Sequence, residues 1–191
     1  GPGGGRGRAG AVTGDVRAPA APARTSTVKG GATRSGPVNG TTPNNLTRNV
    51  SGTLAVEANG SIDVSGRGYD RTKSYQGATA ASGLTGGSHI GRGAMNGGTP
   101  STVFGSVTRP QEAGGGGEAN GSNGGKGGGV VRITAGTLID DGSIRANALS
   151  SVSAGAGGSI WISTTTLAGA GTVEARGAGG GCGLEAGCGG A

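Results

Sequence analysis

One pattern occurs twice in this chain at a constant offset. Leu138, Gly142, Ser143, Ile144 and Ala146 recur as Leu167, Gly171, Thr172, Val173 and Ala175. The run before it recurs at the same offset, since Val131-Arg132-Ile133-Thr134 becomes Ile160-Trp161-Ile162-Ser163. A fixed offset held over two runs marks a stacked repeat and outranks any local propensity. A third copy stands upstream at Val56, Gly60, Ser61, Ile62 and Val64. One period plus a long insertion separates it from the middle copy.

Within each copy apolar and polar residues alternate, which is the period of a strand with one buried face. Gly before Ser or Thr suits a tight bend between two strands. A single repeat cannot bury its apolar face alone, so copies must stack on one another. The expectation is an all-β chain: a parallel β-helix or solenoid with coils about 4.8 Å apart, a long Gly-rich insertion and an extended N-terminal arm. The inward set is Val131, Ile133, Leu138, Ile144, Ala146, Ile160, Ile162, Leu167, Val173 and Ala175. Outward positions should stack as well, placing Arg145 beside Glu174 and Trp161 above Arg132.

Composition agrees with a thin core. Gly makes up 49 of 191 residues and aromatics only 2%, so a large conventional core is excluded. Gly does not fall on every third residue, which excludes collagen. Long helices are disfavoured because Gly costs about 1 kcal/mol relative to Ala in a helix interior. No apolar run approaches the ~20 residues that a membrane helix needs.

Four segments follow. Residues 1–38 are a low-complexity basic arm, 39–65 the first coil, 66–129 a Gly-rich insertion, and 130–191 the remaining coils with a Gly-rich end. The chain opens Gly1-Pro2-Gly3 without an initiator Met, as a processed or excised piece would. Asn39, Asn45, Asn49, Asn59 and Asn120 each begin an Asn-x-Ser/Thr triplet. The crowding of four such triplets between Asn39 and Ser61 suits a secreted, glycosylated surface. The insertion holds Tyr69, Tyr75, His89, Met95 and Phe104. The plainer reading of its rings is a small satellite core that anchors the loop. The sharper one makes the insertion a subunit interface or a sugar-stacking platform, since insertions in stacked repeats gather on one contact face. The interface candidates are Tyr69, Tyr75, His89 and Phe104 within it, and Trp161 beyond it. Trp161 reads either as a cation–π partner of Arg132 or as covered by the insertion or a neighbouring subunit. Cys182 and Cys188 are spaced for a short-loop disulfide in an oxidising compartment.

Chemistry is sparse. With one His and scattered carboxylates no Ser–His–Asp constellation assembles, and no Gly-Lys-Ser/Thr follows the Gly runs to make a phosphate loop. Asp140-Asp141 reads as a solvated turn. Cys182, Cys188 and His89 are too few for a metal site. The expectation is no enzyme, no cofactor and no metal. The net charge of +6 reads first as a basic soluble surface, and second as a match for a polyanion such as an acidic polysaccharide. Gly5-Arg6-Gly7-Arg8 lacks the interleaved aromatics of a nucleic-acid platform.

Several motifs together resemble a known group. They are Ser65-Gly66-Arg67-Gly68-Tyr69, Gly86-Gly87-Ser88-His89, Phe104-Gly105-Ser106 with Pro110, Gly127-Gly128-Gly129 before Val130, and Gly157-Gly158-Ser159-Ile160-Trp161-Ile162. The chain resembles the glycine-rich parallel β-helix repeats of large secreted surface and filament proteins, both adhesin-like and mastigoneme-like. That resemblance implies a structural or surface role with no catalytic residues to carry over. The expected function is a structural subunit of an extracellular filament or cell-surface assembly, a homo-polymer self-associating through Gly-rich segments. The alternative is an adhesin-like module that binds glycans or a surface.

Overall fold

The computed structural model describes residues 24–31, 33–34, 43, 45–119 and 124–180. Eight strands form among them and no helix. They are β1 (Ser26–Val28), β2 (Thr33–Arg34), β3 (Asn45–Val56), β4 (Ser61–Asp63), β5 (Val130–Asp140), β6 (Ser143–Arg145), β7 (Ser159–Ala168) and β8 (Thr172–Glu174). The long strands make one four-stranded parallel sheet in the order β1-β3-β5-β7, and the short strands a second in the order β2-β4-β6-β8.

The repeat offsets are the strand register. Leu54 pairs with Leu138, and Leu138 with Leu167. Ile62, Ile144 and Val173 share one column of the short sheet. A bulge between Val50 and Thr53 resets the alternation, so Val131, Ile133 and Ala135 point inward in the first half of β5 and Leu138 in the second. The core lies between the two sheets. It comprises Val28, Leu54, Val56, Ile62, Val64, Val131, Ile133, Ala135, Leu138, Ile144 and Ala146. Full burial of each large aliphatic contributes about 1.5–3 kcal/mol.

The expected fold class is corrected by this architecture. The chain builds two small parallel sheets and otherwise loop, whereas a parallel β-helix would carry strands around each coil. The return paths from the short sheet to the long one, through residues 64–129 and 146–158, contain no strand among the described residues. Glycine explains the difference, because it has no side chain to pack on a pleated surface and weakens a strand interior.

These paths follow another periodicity. Gly114 and Gly117 donate to Gly128 and Gly125, while Gly115 and Glu118 donate to Ser88 and Thr85. Tyr69 and Thr72 donate to Gly114 and Gly117, and Gly125 and Gly128 to Ser153 and Ala156. Successive bonds to one neighbour fall three positions apart, where a strand places them two apart. Three residues per turn without internal hydrogen bonds is the polyproline-II habit. The segment around Gly114–Gly117 thus bonds to several neighbouring threads at once. The threads lie so close that a Cβ on Gly114 would sit 2.1 Å from the Ala156 carbonyl oxygen, and one on Gly127 1.9 Å from that of Gly114.

The extended-arm expectation changes too. Residues 26–28 and 33–34 contribute the edge strands β1 and β2, and residues 1–23 lie outside the described part. Val28 pairs with Val56 and Thr33 with Ser61, an offset one position shorter than the one that links the later copies. This fourth copy carries few aliphatics, which hid it from the repeat pattern.

Candidate functional site

Three surfaces bring together the residues that could act. The first is the β7/β8 edge, where the stack ends among the described residues. Leu167 and Val173 occupy the same inward columns as Leu138 and Ile144. The earlier pair is 0% exposed, while Leu167 is 61% and Val173 48% exposed. Ala175 is exposed and Ile160 and Ile162 are half-buried. Five of the ten expected inward residues are therefore buried, and the five on the last layer are partly or largely open.

The second surface is a cluster of rings inside the insertion. Phe104 stands edge-on to Tyr69 at 6.2 Å, stacks on Tyr75 at 5.5 Å and tilts against His89 at 5.3 Å between centroids. His89 is buried, and its Nδ1 lies 2.9 Å from the Gly157 carbonyl oxygen. That carbonyl can only accept, so Nδ1 carries the proton and Nε2 holds a lone pair. Nε2 is buried with no hydrogen-bond partner, facing Gly105, whose φ of +94° and absent Cβ leave room for the ring. Desolvation lowers the His89 pKa, against weaker opposing effects of the Gly157 bond and Glu112. Burial raises the Tyr69 pKa, with Tyr75 and Glu112 adding to the shift. Four of the expected interface residues thus meet in one place. Their mutual packing has the form of the satellite core.

The third surface is the outward face of the long sheet. Trp161 joins none of those ring pairs. It is half-buried in β7 beside Arg132 of β5, with which it is in register, and the Arg132 guanidinium carbon sits 5.9 Å from the ring centroid. The two side chains, with Ile133, Thr134 and Ser163, line an open trough of about 280 Å3.

The remaining site residues scatter. Asn45 and Asn49 are exposed on β3, and Asn59 is exposed with φ 64° in the turn before β4. Asn39, Asn120, Cys182 and Cys188 lie outside the described residues. Arg145 and Glu174 form the expected ion pair at 3.1 Å. Glu174 also pairs with Arg176 and accepts from Asn147 Nδ2 at 2.7 Å. The Asn147 bond is the largest cause of its lowered pKa, and both arginines add to it.

The solvated-turn reading of Asp140-Asp141 is corrected at Asp140. Asp141 is exposed, but Asp140 is only 4% exposed and its Oδ2 has no partner. Desolvation raises the Asp140 pKa, only partly offset by the bond from the Gly142 N–H. Its place in the register gives the reason: Asp140 follows Val56 in an inward column, a fact that local polarity does not show. No group of three or more His, Cys, Asp or Glu among the described residues could hold a metal. No helix among them is long and apolar enough to cross a membrane.

Compared with family models, curated proteins and solved structures, the chain matches none. The functional reading therefore rests on its own geometry.

Proposed function

We propose that this chain is a structural subunit of an extracellular filament or cell-surface assembly, and that copies join through the β7/β8 edge. The exposure of Leu167 and Val173, in columns where Leu54, Leu138, Ile62 and Ile144 are buried, carries this reading. Edge strands present unpaired N–H and C=O groups and template pairing with another chain. All strands in both sheets run parallel, so the β1/β2 end of a second copy has the polarity to continue them. Such a head-to-tail contact is heterologous and yields open filaments unless the rotation closes. The exposed Asn45, Asn49 and Asn59 triplets support the extracellular part of the proposal.

The contact surface differs from the one the sequence suggests. The described Gly-rich segments at 114–117, 124–129 and 153–158 donate amides to one another and to other backbone of the same chain, such as Val64, Tyr69, Lys73, Ser88 and Ala146, and they are largely buried. The test compares the chain with a Leu167→Arg, Val173→Arg double variant by sedimentation and electron microscopy. The expected result is concentration-dependent oligomers or fibres for the parent and folded monomers for the variant. A parent that stays monomeric to millimolar concentration overturns the proposal. So does assembly that appears only after residues 181–191 are deleted, because that segment would then be the natural cover of this edge.

A further inference from the structure

The outward side of the long sheet carries a second, independent feature. Outward positions stack in register as Thr47, Arg132 and Trp161, then as Asn49, Thr134 and Ser163. Every side chain in these two columns is a hydroxyl, an amide, a cation or an indole. No carboxylate lines the trough between Arg132, Thr134, Trp161 and Ser163. Arg132 is half-buried, with Nε shielded from water and lacking a hydrogen-bond partner. One cation on a surface is ordinary. A cation held over an indole, partly desolvated, with two flanking hydroxyls and no counter-charge in the lining, is a pre-arranged set of anion and ring contacts.

We propose that this trough binds an acidic saccharide, a pyranose bearing a carboxylate or a sulfate ester. Each group has a matching function. The guanidinium presents a planar fork of donors that fits either anion with two parallel bonds. Stacking on the indole fixes that fork at little entropic cost. The indole offers a flat apolar body for the C–H face of a sugar ring. Thr134 and Ser163 hydroxyls donate to and accept from sugar hydroxyls. The chain's net charge of +6 favours encounter with a polyanionic partner. A nucleic-acid strand would call for successive stacking rings, and among the described residues Trp161 is in no ring–ring pair. The trough is lined by residues of β5 and β7 of one chain, so its groups are complete without end-to-end association.

The experiment uses the chain's own reporter, since Trp161 is its one tryptophan. Indole fluorescence is titrated with an oligogalacturonate, a sulfated oligogalactan, a neutral oligogalactan and single-stranded DNA. Saturable change with one or both acidic sugars is expected, at least tenfold tighter than with the neutral one and weakening as salt rises. Whichever acidic sugar binds more tightly identifies the anion. By calorimetry, Arg132→Gln is expected to lose at least tenfold in affinity while keeping its circular dichroism. Arg109→Gln removes the same charge from an exposed loop and is expected to change affinity less than twofold. Equal binding of the neutral sugar overturns the proposal. Tighter binding of DNA, equal losses in the two arginine variants, or no response to either acidic sugar would do the same.

Discussion

Gly128→Ala probes the part of the fold that departs most from a pleated sheet. A Cβ at this position would lie 1.9 Å from the Ala146 carbonyl oxygen, 2.6 Å from the Gly158 nitrogen and 2.7 Å from the Ala146 carbonyl carbon. All three are backbone atoms of neighbouring threads, so no side-chain rotation relieves the overlap. The nearest contact is far inside the 3.0 Å that real Cβ atoms respect. Overpacking of this kind costs about 1–3 kcal/mol. Separating the threads also strains two hydrogen bonds of 2.9 Å, from Gly128 to Ala156 and from Gly114 to Gly128. A buried amide or carbonyl left unpaired costs about 1–3 kcal/mol. With one of the two bonds lost the total is about 2–6 kcal/mol, a large share of the roughly 5–15 kcal/mol that holds a typical domain folded.

A graded series makes that reasoning refutable. Gly136→Ala meets its nearest atom, the Gly52 carbonyl oxygen, at 3.1 Å, and Gly179→Ala meets nothing within 4 Å. Urea titration followed by circular dichroism should rank Gly179→Ala within about 0.5 kcal/mol of the parent, Gly136→Ala below it and Gly128→Ala far below both. If Gly128→Ala and Gly179→Ala unfold at the same urea concentration, the close-packed threads are wrong.

The two leucines of one column provide a second test. Leu138→Ala should cost about 2–5 kcal/mol, as buried leucines do, whereas Leu167→Ala should cost under about 1 kcal/mol in dilute monomer. Equal losses by denaturant midpoint would mean that Leu167 is covered. The third test concerns His89, whose folded pKa is depressed below its ordinary 6.5. The unfolded chain therefore binds the extra proton first. Stability should be full above about pH 6.5 and decline as pH falls towards the folded value. Thermal melts from neutral to mildly acidic pH should show this decline, and His89→Phe should flatten it. An unchanged slope in the variant would assign the effect elsewhere.

The strand columns were legible because a parallel stack repeats its chemistry at a fixed offset. Leu54, Leu138 and Leu167 fall in line, as do Ile62, Ile144 and Val173, and the Arg145–Glu174 and Arg132–Trp161 neighbours follow from the same arithmetic. The β1/β2 layer is hidden in the sequence, since Val28 alone carries its apolar signal. The burial of Asp140 is hidden too, because a carboxylate in an inward column looks, in sequence, like any turn residue. Glycine runs look like surfaces offered to other chains. In the structure their described parts bond to one another and to other backbone of the same chain.

Sequence by itself determined what stacks on what: side chains at a constant offset must share columns, and alternation decides which face is apolar. Only the tertiary structure decided how the glycine-rich returns are packed and which columns are left open. Glycine carries no side-chain pattern, so the partners of its amides are set by whichever backbones approach within hydrogen-bonding distance. Exposure depends on the same thing. Leu138 and Leu167 are one residue type at one position of a repeat, and among the described residues only the presence or absence of a next layer makes one core and the other surface.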